Sequence, residues 1–227
     1  MPKSPKFDFT AFVTKLQDSA NQVGAREVGT LKERIYFLIV TEGEKTEPIY
    51  FESFKRKLPR GLLDTIQLIG EGANTITVVT KAISERQKRK NDPTQPDFEE
   101  VWAVFDRDDF GPDKVNQALQ LAAAENVSVG FSNQAFELWY ILHFQFLDAD
   151  LHRHHYIPIL TGICGFKYEK NNEEVVAFIA ANGNVTQAIL RARTLCERFD
   201  HVYRYENAPL TTVYQLVEKL LAYCEET

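Results

Sequence analysis

Between residues 34 and 144 the sequence changes four times from a short β-rich apolar run to a longer segment with helical spacing. The four apolar runs are RIYFLIV (34–40), LLDTIQLIG (62–70), EEVWAVFD (99–106) and VSVGFS (127–132). The helical segments that follow them lie near 48–58, 74–90, 111–126 and 133–144. Strands and helices that alternate in this way indicate an α/β fold, in which right-handed crossovers join parallel strands. We therefore predict a mostly parallel, four-stranded sheet flanked by helices.

The remainder of the chain has a different pattern. We predict an N-terminal arm at 1–30, the α/β domain at 31–146, and a helical region packed on it at 147–227. The stretch from Asp148 to Phe166 is predicted to be irregular, and further helices are predicted near 172–181, 185–199 and 209–225. Asn74 is a predicted N-cap, and Pro112 lies in a first helical turn, where the missing N–H of proline is tolerated.

Composition excludes several classes of protein. The chain has 227 residues and 44% hydrophobic content, enough for one sizeable core, and no apolar run reaches the ~18 residues of a membrane span. The first residues, MPKSPKFDFTAF, lack the layout of a signal peptide, so we expect a cytoplasmic protein. Cys164, Cys196 and Cys224 have neither the spacing of a zinc site nor that of a disulfide framework. With a net charge of −6, the molecule as a whole does not attract nucleic acid.

Carboxylates follow two of the predicted strands at the points where the strands end. Glu42 follows the first strand, and Asp106 and Asp108 form a D-x-D at the end of the third. Residues i and i+2 of an extended chain face the same side, and ligands of α/β sheets bind at the carboxyl ends of strands. Mg²⁺ or Mn²⁺ would neutralise such a group and act on phosphates. A D-x-D alone is also typical of a turn or a helix cap, and the joint pattern favours the metal.

Glu137 is a further candidate because it lies in the apolar helix AFELWYILHF. Its neighbours predict a carboxylate that is at least partly buried. A buried carboxylate needs a partner charge, a proton or a metal ion. A salt bridge to Lys45, Arg107 or a C-terminal arginine is therefore the alternative to a role as metal ligand.

Four segments of the chain resemble, in order and spacing, the RloB family of bacterial proteins. They are EGEKTEPIYF, VWAVFDRDDF, SNQAFELWYILHF and APLTTVYQLVEKL. The resemblance covers roughly residues 33–222. Members of this family have a Toprim-like catalytic core and occur near restriction and other phage-defence systems. The resemblance implies a Mg²⁺-dependent (or Mn²⁺-dependent) Toprim endonuclease that cleaves RNA, with tRNA as one candidate, or DNA. It also implies a role in phage defence by abortive infection and a partner that is an ATPase or a restriction system. A homo-oligomer is compatible with the resemblance.

Carried over by position, the family scheme gives each acidic residue a role. Glu42 would be the Toprim glutamate, a general acid/base or metal ligand, and Asp106 and Asp108 would hold Mg²⁺. Glu137 would be the extra acidic residue of the nuclease branch, in which two metal ions are used. Lys45 would neutralise charge that develops on the phosphate, or else be a surface lysine paired with a neighbouring glutamate.

The sequence departs from the family pattern at two places beside the acidic site. Gln134 and Ala135 stand where a Pro-Cys-like pair is expected, and Tyr214 stands where histidine is commoner. These departures bear on substrate or partner contacts more than on metal binding. The role of Glu47, within the first family motif, stays open.

Two basic clusters could line a path for a nucleic-acid substrate. They comprise Lys55, Arg56, Lys57 and Arg60 in one helix end, and Arg86, Lys88, Arg89 and Lys90 in another, with Arg107 beside the D-x-D. If they line the acidic cleft, they bind phosphates; otherwise they are a solvated face. His152, His154 and His155 have the spacing of neither a helix face nor a zinc site, so we interpret them as a loop.

Two other classes of function fit parts of the sequence. One is a non-catalytic Toprim-like binding or sensor module that works with a partner ATPase or restriction system. The other is a metal-dependent phosphatase of the haloacid-dehalogenase type, which also places a D-x-D after a strand. That second class would have a threonine or valine soon after the second aspartate, and DRDDFGP supplies no threonine there.

Overall fold

Four parallel strands form the centre of the fold, in the order β2-β1-β3-β4. Their bounds are β1 (Phe37–Thr41), β2 (Leu63–Gln67), β3 (Glu100–Asp106) and β4 (Ser128–Asn133). The computed structural model describes residues 35–43, 46–55, 57–58, 60–67, 74–107, 111–170, 172–200 and 204–224, and only the main chain at 64–67. Every residue of β1 is buried, as are the last six of β3. Burial on both faces explains why these strands have continuous apolar sequences.

A helix follows each of these strands, as the sequence predicted. The four helices are α1 (Thr46–Lys55), α2 (Thr75–Lys90), α3 (Pro112–Ala124) and α4 (Glu137–Leu142). The predicted N-cap of α2 is confirmed, since the Asn74 side chain accepts hydrogen bonds from the amides of Ile76 and Thr77. Thr77 in turn accepts a hydrogen bond from the Asn74 amide, which completes a capping box. Pro112 is the first residue of α3.

A fifth strand corrects the predicted four-stranded sheet. β5 (Leu210–Thr211) pairs antiparallel with β4, so the sheet is mixed and has five strands in the described part of the chain. Two residues are too few to show an alternating pattern in the sequence. The pairing is instead reinforced by Thr212, whose hydroxyl accepts from the Phe131 amide at 2.8 Å and donates to the Val129 carbonyl at 2.7 Å.

The C-terminal region contains a helix that the sequence did not predict. After a 3₁₀ turn (Arg153–His155) come α5 (Tyr156–Cys164), α6 (Glu173–Asn182), α7 (Val185–Glu197) and α8 (Val213–Leu221). The stretch 148–166, predicted to be irregular, thus includes all of α5. Pro158 lies in the first turn of α5, where no intrahelical N–H donor is required. The sheet and these helices share one hydrophobic core.

The structure also bears on two further predictions, the lack of a membrane span and the state of the cysteines. None of the helices in the described residues has the length and apolarity needed to cross a membrane. Cys164, Cys196 and Cys224 are free thiols, the first two buried. The predicted arm at 1–30, together with Lys45, Arg56 and Asp108, lies outside the described residues.

Because β1 to β4 are parallel, the sheet has two distinct edges. We call the carboxyl edge the one where β1, β3 and β4 end, at Thr41, Asp106 and Asn133. The amino edge is the opposite one. A helix that links two parallel strands begins at the carboxyl edge and ends at the amino edge, so α1 and α2 end at the amino edge.

Candidate active site

Four carboxyl groups lie at the carboxyl edge of the sheet. Glu42 follows β1, Asp106 ends β3, Glu47 lies in the first turn of α1, and Glu137 is the first residue of α4. The exposed fraction is 8% for Asp106, 5% for Glu47 and 3% for Glu137, while Glu42 is partly buried. The amide of Glu42 donates to the carbonyl of Val104 at 3.0 Å, which ties the end of β1 to β3. The fold therefore brings Glu42 and Asp106 to neighbouring strand ends.

Five buried oxygen atoms, three from these carboxyl groups and two from nearby hydroxyls, have no hydrogen-bond partner among the described residues. They are both carboxylate oxygens of Glu42, Oδ1 of Asp106, and the hydroxyls of Thr41 and Tyr156. The other oxygen of Asp106 accepts a hydrogen bond from the Phe136 amide at 3.0 Å, and this bond fixes the carboxylate. Buried polar atoms are nearly always satisfied by protein, water or an ion. These oxygens thus form a polar locus that can accept a ligand.

Burial and mutual repulsion shift the pKa values of these acids upward. Burial, followed by the charge of Glu47, raises the pKa of Glu42 to about 7; the Asp106 amide is near enough to oppose the shift but does not meet hydrogen-bond geometry with either carboxylate oxygen. Burial also raises the pKa of Glu47 to about 7, and the charge of Glu137 adds to it. The pKa of Asp106 lies well above its usual value because of burial and then the charges of Glu47 and Glu137. The four carboxyl groups therefore lack enough neighbouring positive charge to stabilise their ionised forms.

Glu137 has partners that the sequence did not predict. Its Oε1 atom accepts a hydrogen bond from the Tyr168 hydroxyl at 2.9 Å and lies 3.4 Å from Nζ of Lys170. Arg107, a predicted partner, instead donates to the Tyr205 hydroxyl at 2.9 Å and stacks on that ring at 3.9 Å. Lys170 could not be found from the sequence, because only the fold brings the α5–α6 connection to α4.

Glu47 is the member of the group whose role the sequence left open. Its carboxyl group lies against Gly43, so a Cβ atom at Gly43 would come within 2.7 Å of Cδ and 2.8 Å of Oε1, and closer still to Oε2. A side chain at position 43 would therefore force the buried Glu47 carboxyl group to shift. The signal available in the sequence was an acidic residue in the first turn of a helix, which also suits the helix dipole.

Two of the carboxyl groups offer the type of oxygen ligand that a hard divalent cation prefers. The unpartnered oxygens of Glu42 and Asp106 are the type of ligand that Mg²⁺ and Mn²⁺ prefer. Within the described residues, however, no group of three or more His, Cys, Asp or Glu side chains is arranged so that it could hold a metal ion. The predicted ligand Asp108 is outside those residues. Among the described residues, Glu42 and Asp106 are therefore the two acids whose free oxygens could contact such an ion.

Comparison with known proteins assigns the chain to a family. The model of a family described as "RloB-like protein" matches residues 37–220, which include the four carboxyl groups and Lys170. The chain belongs to the RloB-like family. The predicted resemblance to RloB proteins is thereby confirmed. Neither the curated proteins nor the solved structures include a match to it.

In this RloB-like protein the two basic clusters lie away from the four carboxyl groups. Lys55, Lys57 and Arg60 come at or after the end of α1, and Arg86, Lys88, Arg89 and Lys90 come at the end of α2. Both helices end at the amino edge. Arg86 donates to the Glu125 carbonyl at 2.8 Å, Lys88 pairs with Glu85 at 2.6 Å, and Arg89 stacks on Phe98. The fold does not bring these residues to the acidic group.

The histidine segment of the RloB-like chain does lie near the carboxyl edge. The amide of Arg153 donates to Oε1 of Gln134, the residue after β4, at 2.9 Å. The three histidine rings are exposed. The ring centroid of His154 lies 4.5 Å from that of His152 and 4.1 Å from that of His155. His143 is a buried structural residue whose Nδ1 atom lies 2.9 Å from the Trp139 carbonyl, and burial lowers its pKa to about 4.

Proposed function

We propose that this RloB-like protein is a divalent-metal-dependent nuclease with a Toprim-like core that hydrolyses phosphodiester bonds of RNA or DNA. The observation that carries the proposal is the group of buried carboxyls at the carboxyl edge, several of whose oxygens have no partner among the described residues. Burying carboxylates costs free energy unless protons, opposite charges or a bound cation compensate them. The family resemblance supports a role in bacterial phage defence, with tRNA among the candidate substrates. Control by an ATPase or restriction-system partner fits the toxicity of a free nuclease.

The side chains of the site would divide the work as follows. Asp106, fixed by the Phe136 amide, would hold the ion through its other oxygen, together with Glu42 and Asp108. When bound, Mg²⁺ or Mn²⁺ would neutralise the scissile phosphate and lower the pKa of the attacking water. Glu137, oriented by the Tyr168 hydroxyl, would be the ligand of a second ion. Lys45 would face charge that develops on the phosphate.

Calorimetric titration with Mg²⁺ and Mn²⁺ tests the metal site directly. Wild type should bind the ion, and Asp106→Asn should bind it at least ~100-fold more weakly because a charged ligand is lost. Asp148→Asn is the matched control, since Asp148 is exposed and paired with Arg198 at 2.9 Å. The same samples are then incubated with tRNA, plasmid and single-stranded DNA. Equal metal affinity in wild type and Asp106→Asn would contradict the proposal.

A non-catalytic sensor module is the second candidate. The observation that favours it is that the described residues include no ready three-ligand arrangement. A folded wild-type protein that binds neither Mg²⁺ nor Mn²⁺ would support the sensor, whereas metal binding without cleavage of any polymer would indicate a nuclease that needs its partner. Hydrolysis of p-nitrophenyl phosphate in preference to polymers would instead indicate the phosphatase class.

A further inference from the structure

Lys170 brings positive charge to a site that is rich in negative charge. Its Nζ atom lies 3.4 Å from Oε1 of Glu137, and its charge also acts on the carboxyls of Glu47 and Asp106. Three of the four acids at this edge, Glu47, Asp106 and Glu137, thus share the influence of this ammonium group. A single monovalent charge cannot balance them, but it can keep the most buried carboxylate paired while no metal ion is present.

The two partners of this ion pair differ in their exposure to solvent. The Glu137 side chain is 3% exposed, whereas that of Lys170 is 51% exposed and reaches the site from solvent. Lys170 lies in the connection between α5 and α6 rather than in a helix. A lysine side chain has four rotatable bonds and a strongly hydrated head, so it can leave such a contact at little cost.

Tyr168 has the opposite character. It is 3% exposed, its amide donates to the Thr161 hydroxyl at 3.0 Å, and its own hydroxyl donates to Oε1 of Glu137 at 2.9 Å. The same carboxylate oxygen therefore has one fixed partner and one exposed, charged partner. If the lysine departs, Tyr168 still holds Glu137 in position.

We propose that Lys170 is an exchangeable counter-ion of the site: it pairs with Glu137 in the metal-free protein, yields that carboxylate to a divalent cation, and then contacts a substrate phosphate. The exchange follows from charge, because an ammonium group and a divalent cation repel each other when they share one carboxylate oxygen. This inference rests on the proposed metal-dependent nuclease function. A purely structural ion pair would instead persist in the metal-bound protein.

Metal affinity separates these two roles. We would titrate wild type, Lys170→Met and Lys167→Met with Mn²⁺ by calorimetry. The control residue Lys167 pairs with exposed Glu169 on the same connection, at 2.8 Å. Removal of a competing cation should tighten Mn²⁺ binding by Lys170→Met about 10-fold, with Lys167→Met unchanged. Lys170→Met should also melt at a lower temperature than wild type without metal, and at the same temperature with saturating Mn²⁺.

The outcomes distinguish this inference from the proposed function. If wild type binds no Mn²⁺, the proposed metal site fails. If wild type binds Mn²⁺ and Lys170→Met binds it equally or more weakly, the exchange is overturned while the metal site stands. A melting difference that persists at saturating Mn²⁺ would also overturn it, because the ion pair would then be structural.

A binding experiment tests the phosphate contact. Labelled single-stranded RNA and DNA oligonucleotides are titrated in Ca²⁺ at several salt concentrations. The negative slope of log affinity against log salt should become shallower by about 0.7 in Lys170→Met, and Lys170→Arg should keep the wild-type slope. An unchanged slope in Lys170→Met would overturn the phosphate contact. Failure of wild type to bind either polymer would count against the nuclease proposal itself.

Discussion

The two edges of the sheet differ both in the sign of their charged side chains and in the burial and pairing of those side chains. At the carboxyl edge, the acids are mostly buried, and oxygens of Glu42 and Asp106 have no hydrogen-bond partner among the described residues. At the amino edge, basic side chains are largely exposed and paired within or between helices, as Lys88 is with Glu85 and Arg86 with Glu125.

This difference shows which charges are informative about function. An exposed ion pair contributes roughly 0–1 kcal/mol and follows from ordinary helix chemistry. A buried carboxylate without a partner costs several kcal/mol, which other parts of the fold must offset. A basic run such as RQKRK is conspicuous in the sequence, yet the buried acids at the other edge indicate the site.

The largest expected effect is on the pH dependence of stability. The pKa values of Glu42 and Glu47 are about 7 in the fold against 4.5 ordinarily, so the folded protein binds more protons than the unfolded chain between these values. Stability should therefore fall as pH rises through this window, by about 3–5 kcal/mol between pH ~5 and pH ~8. Urea unfolding of the metal-free protein measures it.

Two controls sharpen this first prediction. Glu42→Gln should flatten the pH dependence, since one titrating group is removed. Saturating Mg²⁺ should restore stability at pH ~8, because the ion replaces protons as the positive charge. Stability that rises with pH over the same window would show that the carboxyl edge behaves like an ordinary surface.

The second prediction concerns the cost of the buried charge itself. Asp106→Asn keeps an oxygen that can accept from the Phe136 amide but removes the repulsion from Glu47 and Glu137. The metal-free variant should be more stable than wild type by about 2–3 kcal/mol at pH ~8. Asp148→Asn should change stability by less than ~0.5 kcal/mol. Destabilisation by Asp106→Asn would indicate a structural carboxylate.

The sequence predicted the parts of the fold that local signals determine. The alternation of apolar runs and helical segments gave all four parallel strands, and Asn74 marked the start of α2 because its capping is local. β5 was missed because two residues carry no pattern, and its pairing depends on Thr212. α5 was missed because the stretch 148–166 was predicted to be irregular, although Pro158 lies in the first turn of the helix, where proline is tolerated.

The same distinction applies to the candidate site. Glu42 and Asp106 could be proposed from the sequence because strand ends are visible in it, and parallel strands end at one edge. Glu137 could be proposed because its neighbours are apolar. The pairing of Lys170 with Glu137, and the packing of Glu47 on Gly43, are tertiary contacts that no local pattern records.

The third prediction tests the packing at Gly43. A Gly→Ala change in an unstrained position normally stabilises a protein by ~0.4–1 kcal/mol. At Gly43 the new methyl group would meet the Glu47 carboxyl at less than 3 Å, so Gly43→Ala should destabilise by about 1–3 kcal/mol and weaken metal binding. Gly162→Ala in α5, where no atom lies within 4 Å, should instead stabilise. Equal effects would mean that Glu47 moves aside freely.

The smallest expected effect is at the amino edge. Lys88 is 64% exposed and shares Glu85 with Lys81, whose Nζ atom is 2.7 Å from the same oxygen. Lys88→Ala should therefore lower stability by less than ~0.5 kcal/mol, and Lys88→Ala/Lys90→Ala should change affinity for RNA or DNA oligonucleotides less than ~2-fold. Fluorescence anisotropy measures the affinity for the oligonucleotides, with Lys170→Met titrated in parallel. A ~10-fold loss in the amino-edge variant alone would place the substrate at the amino edge, and the buried acids at the other edge would then require a different explanation.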